Sequence, residues 1–174
     1  MSDTPEREGE VRRQRRENAL NWSPDFRAEL RRSWRTNWLR ALFEFASPSL
    51  QRLAWIEGDR GWASSFDECY CRYFNDLALD EEHAYVDRRD EGLLSDAEIR
   101  LVARFHATAD SYATPSGDQL VILADPKWSV VVNEARAALR AVRDQLSDPS
   151  ELAQLASLEA KWGSLEASRE APPN

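Results

Sequence analysis

Residues 23–46, SPDFRAELRRSWRTNWLRALFEFA, read as one long amphipathic helix. Ser23 suits the capping position, Pro24 the first helical position, where no backbone donor is needed, and Asp25 the positive end of the helix dipole. Phe26, Leu30, Trp34, Trp38 and Leu42 then recur every four residues, which lays an apolar stripe along one face. Arg27, Arg31, Arg35 and Arg40 fall mostly off that stripe. Ser47-Pro48 repeats the cap signal, so the helix ends near Ala46.

The same punctuation divides the rest of the chain. A shorter helix carrying Leu50, Leu53, Ala54 and Trp55 runs into Gly58 and Gly61. Ser65-Phe66-Asp67-Glu68 has the form of a capping box, in which the serine caps and the glutamate three residues on reaches back. The helix it opens carries Phe66, Cys69, Tyr70, Tyr73, Phe74 and Leu77. Ser95-Asp96-Ala97-Glu98 is a second box, ahead of Leu101, Val102, Phe105, Ala109 and Tyr112. Asp125-Pro126 and Asp148-Pro149 cap two further helices, one with Val131, Val132, Ala135, Leu139, Val142 and Leu146, the other with Leu152, Leu155, Leu158, Trp162 and Leu165. The sum is an all-α, single-domain bundle of five or six amphipathic helices. One short extended segment near 119–124, around Leu120–Leu123, has no second strand to pair with, and a helical turn fits it equally.

The domain is expected to span residues 21–167. Residues 1–20 are polar and carry equal numbers of basic and acidic residues, which predicts a disordered, solvated tail rather than a nucleic-acid arm. A second disordered tail is expected at 168–174. The longest apolar runs are a few residues, far below the ~18 needed to span a bilayer, and residues 1–6 contain no apolar signal core. The expected location is therefore the cytoplasm, with no membrane contact. Cys69 and Cys71, two residues apart, point away from each other and are expected to be buried, unpaired thiols.

Familiar chemistry is missing from the sequence. There is no phosphate-binding glycine loop, no HExxH and no GxSxG, and the chain has six glycines and two histidines. Glu81-Glu82-His83 and Asp87 lack metal-ligand spacing, so no metal and no cofactor is expected. Carboxylate pairs such as Asp76 and Asp80 would share a face if their helix continued that far, but nothing marks one pair as catalytic.

Charge is the distinctive feature. The chain has a net charge of −8, and residues 57–98 alone hold thirteen acidic side chains against four arginines. Trp62, Tyr70, Tyr73 and Tyr85 are interleaved with them. Acid around aromatic anchors suits a surface that meets a basic protein, with the charges steering the encounter and the rings supplying buried area. The expected partner-binding residues are Asp59, Trp62, Asp67, Glu68, Asp76, Asp80, Glu81, Glu82, Tyr85, Asp87, Asp90 and Glu91. The alternative is a solvated surface over core aromatics. Such an acidic centre repels nucleic acid, so none is expected as a partner.

Two resemblances bear on function. Tyr73-Phe74-Asn75-Asp76-Leu77, then Gly92-Leu93-Leu94-Ser95, then Leu123-Ala124-Asp125-Pro126-Lys127-Trp128 leading into Val131, Val132 and Ala135, resembles a group of small acidic bacterial immunity proteins linked to polymorphic and contact-dependent toxin systems. The likeness covers roughly residues 47–140 and leaves out the first and last helices. Asn75 departs from it, standing where a second aspartate is expected. It implies a helical domain with a partner-neutralising role and no catalytic residues; together with the acidic 57–98 region, the expected partner is a basic, nuclease-type toxin. Separately, Arg100 with His106 resembles the Arg–His active-site element of the HEPN ribonucleases, which implies an RNA-cleaving alternative. Residue 101 is leucine where that family carries a polar residue, and a spacing of six on an unbroken helix sets the two side chains about 120° apart. A third alternative is a non-catalytic adaptor using the Leu/Trp stripe of the last helix. The oligomeric state is left open.

Overall fold

A computed structural model describes residues 10, 13, 14, 17, 21–58, 61, 62, 64–80 and 84–164. Apart from four positions near the N-terminus, the two expected tails lie outside these residues. The described chain is all-helical. In order, the helices are α1 (Pro24–Ala46), α2 (Pro48–Gln51), α3 (Phe66–Phe74), α4 (Ala84–Asp90), α5 (Asp96–Asp110), α6 (Gln119–Ala124), α7 (Pro126–Arg143) and α8 (Pro149–Trp162). The cap signals are used as expected. Ser23, Ser47, Ser65, Ser95, Asp125 and Asp148 each accept a backbone N–H of the first turn.

The count exceeds five or six because two short helices join those the periodicity predicts. One is α4, inside the acidic stretch. The other is α6, which replaces the extended segment near 119–124. No described strand is available to pair with that segment, whereas Asp118 Oδ1 accepts Leu120 N at 2.9 Å and starts a helical turn. α2 continues directly into a π-helical stretch, Arg52–Glu57. Gly58 closes it in the left-handed conformation (φ 73°), its N–H bonded to Leu53 O.

α1 is the central helix. Its neighbours are α7, α8 and α3, and α5 lies against α7. From Trp38 onward α1 is buried almost all round, as a continuous apolar run should be. Its first turns are outside the core: Phe26 is half exposed, touching Trp22 edge-on. Phe45 is the hub, with its ring 5.2 Å from Phe105, 5.5 Å from Tyr73 and 5.7 Å from Trp128. Trp128 in turn meets Trp55, Phe66, Tyr70 and Tyr112. Each such buried ring contributes about 1.5–3 kcal/mol through burial, which makes this aromatic centre the main source of cohesion. Among the described residues no helix is long and apolar enough to cross a membrane.

Candidate functional site

The acidic block divides in two when folded. In the first part, α3 presents Asp67, Glu68 and Cys71 to solvent, and the chain beyond it presents Asn75, Asp76 and Asp80. α3 stops at Phe74, so Asp76 and Asp80 do not share a helical face. The chain turns instead through Ala78, a left-handed residue (φ 49°), with Leu79 N bonded to Phe74 O at 2.7 Å. Among the described residues no cation forms an ion pair with Asp67, Glu68, Asp76 or Asp80. Asp67 and Glu68 lie in the first turn of α3, where the helix dipole favours them. Glu68 N donates to Ser65 Oγ and Phe66 N to Gln119 Oε1, so two N-terminal donors of α3 are met while the Glu68 carboxylate remains exposed.

In the second part the acid is used internally. Glu91 pairs with Arg88 at 2.9 Å, and Arg89 holds Asp90 at 3.1 Å and Asp96 at 3.3 Å. Glu98 is buried. It completes a reciprocal capping box with Ser95 and meets Arg35 at 2.7 Å. Arg35 also binds both carboxylate oxygens of Glu151 and donates to Leu93 O at 3.2 Å. It is 3% exposed, although α1 periodicity places it off the apolar stripe. The reason is register: Arg35, Leu39 and Leu42 share a second buried face, and two carboxylates neutralise the arginine there. Burial opposes its charge, but the two glutamates hold its pKa above the ordinary arginine value.

The aromatic anchors expected at a partner surface belong to the core. Trp62 is buried beneath the Arg40 guanidinium, which lies 4.1 Å from its ring centre. Tyr85 is half-buried, and its hydroxyl bonds that of Tyr73. Asp87 is buried too. These three therefore offer little surface to a partner, because the fold has already spent them on packing. Asp59, Glu81 and Glu82 lie outside the described residues. Of the cysteines, Cys69 is buried as expected but Cys71 is exposed, since positions 69 and 71 fall on different sides of α3. Burial first, and Glu44 second, push the Cys69 thiol well above its ordinary pKa.

Glu44 has no counterpart in the sequence-derived site. Fully buried, it accepts from Trp55 Nε1 at 3.2 Å and from Ser64 Oγ, and it pairs with Arg72. The clue was a single carboxylate in the otherwise apolar run Ala41–Ala46. A charge there must bring its partners with it.

His106 lies in the aromatic cluster, with Nδ1 3.4 Å from the Tyr73 hydroxyl and its ring 4.9 Å from that of Tyr85. Burial lowers its pKa, partly offset by Asp110. α5 is continuous from residue 96 to 110, and Arg100 is exposed on it, so no helix break brings Arg100 towards His106. The stripe of α8 is largely internal as well: Leu155 and Trp162 are buried and Leu158 is half-buried, leaving Leu152 exposed. Among the described residues no group of three His, Cys, Asp or Glu side chains could hold a metal ion. No family model matches this chain, and no curated protein and no solved structure is significantly similar to it.

Proposed function

We propose that this protein is a binding protein that captures a basic protein partner through the acidic edge formed by Asp67, Glu68, Asp76 and Asp80, and that the partner is a nuclease-type toxin it neutralises. The observation that carries this reading is that four exposed carboxylates cluster in sequence along α3 and its exit with no ion-pairing cation among the described residues. Uncompensated charge of one sign raises the local potential and speeds encounter with a surface of the opposite sign. A nuclease needs cationic side chains to hold phosphate. Carboxylates that occupy those side chains compete directly with the nucleic-acid substrate. α3 gives the edge a rigid base, since its opposite face carries Phe66, Cys69, Tyr73 and Phe74 into the core.

The test is co-purification of the tagged full chain from the cells that make it, at about 0.1 M and about 1 M salt, between which the screening length falls from about 10 Å to about 3 Å. A basic nuclease retained at low salt, released at high salt and inhibited by this chain is the expected result. A retained partner that is acidic, or that binds equally at both salts, would overturn the reading.

A further inference from the structure

A cationic groove runs between α1 and α8, apart from the acidic edge. Its α1 wall carries Arg32, Thr36 and Arg40, each four residues from the last and so on one helical face. Its α8 wall carries Ser157 and Lys161, again four apart. Gln154 Nε2 donates to Thr36 O at 2.8 Å and ties the two walls together. Trp62 and Trp162 complete the lining, 5.9 Å apart and edge to face. The cavity is about 490 Å³, within the range of small-molecule sites.

Its electrostatics run against the rest of the molecule. In a chain of net charge −8, the groove lining includes three cations and no carboxylate. Among the described residues none forms an ion pair with Arg32, Arg40 or Lys161. Two acids act on these cations through space: Asp148 on Arg32, with its carboxylate engaged by Ser150 N and Oγ, and Glu44 on Arg40, with its carboxylate held by Arg72. Partial burial and then the like charge of Arg72 lower the Arg40 pKa, and Glu44 only partly offsets them. The buried Trp62 indole N–H in the groove wall has no hydrogen-bond partner among the described residues.

Three like charges along one groove with no carboxylate in its lining raise the local potential, which a bound anion would relieve. The two tryptophans narrow the choice of anion. Arg40 covers Trp62 at 4.1 Å, and Lys161 Nζ covers Trp162 at 4.4 Å. With those faces taken, recognition rests on oxygen atoms rather than on ring stacking. Two guanidinium forks, an ammonium and the hydroxyls of Thr36 and Ser157 match a phosphate group with several acceptor oxygens. We propose that this groove binds a phosphate-bearing small molecule, with Arg32, Arg40 and Lys161 holding its charged oxygens.

The experiment is calorimetric titration of the full chain with pyrophosphate at constant ionic strength, with citrate as a polyanion lacking phosphorus. Saturable one-to-one binding is expected. Arg32→Gln and Lys161→Gln should each weaken it roughly tenfold, the loss of one charge-assisted contact. Both positions are exposed, so thermal melts without ligand should match the wild type. Adenosine diphosphate in place of pyrophosphate supports the proposal whether it binds equally, through phosphate alone, or more tightly, through its nucleoside as well. Absence of saturable binding, an unchanged affinity in the double variant, or citrate binding as tightly as pyrophosphate would each overturn it.

Discussion

Residues 67–80 and residues 87–98 are equally acidic to the eye, yet the fold treats them oppositely. Asp67, Glu68, Asp76 and Asp80 face water with no described cation in an ion pair, whereas Asp90, Glu91, Asp96 and Glu98 are each held by an arginine. The difference is one of neighbours. Arg88 and Arg89 stand within the second segment, and Arg35 reaches Glu98 from α1. The one arginine on α3, Arg72, turns inward to Glu44. Local charge counts therefore overstate the surface available to a partner, and pairing decides which acids remain for one.

The strongest way to sharpen this contrast is to remove the arginine of a buried cluster. Arg35→Met would leave Glu98 and Glu151 facing each other without a cation and should cost about 3–5 kcal/mol, read from urea denaturation. A loss below ~1 kcal/mol would mean that the cluster is hydrated and does not stitch α1, α5 and α8 together. Next comes Glu44→Gln, which strips the charge that Arg72 and Ser64 address. It should cost about 1.5–3 kcal/mol in the same assay.

pH acts on two buried groups with the same sign but in different ranges. Burial pushes the Glu98 carboxyl up, but Arg35 and Ser95 pull it down further, so its folded pKa lies below the ordinary 4.5. Its contribution is present above that value and is lost as pH falls through the folded one. His106 is also depressed, by burial, below the ordinary 6.5. The folded chain then binds fewer protons than the unfolded chain, and stability declines as pH drops below about 6.5. Urea midpoints should fall in two stages, and His106→Gln should remove only the upper one. A variant that keeps the upper stage would show that another group titrates there.

At the small end, Asp67→Asn, Glu68→Gln, Asp76→Asn and Asp80→Asn together should cost about 1 kcal/mol, mostly the helix-dipole contribution of Asp67 and Glu68. A larger destabilisation would place these carboxylates among the structural ones and remove the distinction between the two segments.

Much of the fold was legible because it rests on local signals. Ser23-Pro24, Ser95 with Glu98, Asp125-Pro126 and Asp148-Pro149 start helices where their cap chemistry says they should. α6 was ambiguous because Leu120–Leu123 is apolar without a period, and only its surroundings show that no strand pairs with it. The candidate site was less legible. Nothing local to Arg35 reveals that Glu98 and Glu151, 63 and 116 residues away in the chain, converge on it. Trp62 and Tyr85 read as interface anchors because an aromatic among acids has the same pattern whether it faces a partner or the core. The groove between α1 and α8 drew on Arg32, Arg40 and Lys161, which the sequence scatters through two helices on opposite ends of the chain.

The central claim is that the unpaired edge, and not the paired segment, meets a basic partner. The most direct test is retention of that partner at low salt by three immobilised full chains: the wild type, the four-amide edge variant, and a control with Asp90→Asn and Glu91→Gln. Loss of retention in the edge variant, with the control behaving as wild type, is the predicted result. Equal retention by the edge variant, or loss confined to the control, would contradict the account.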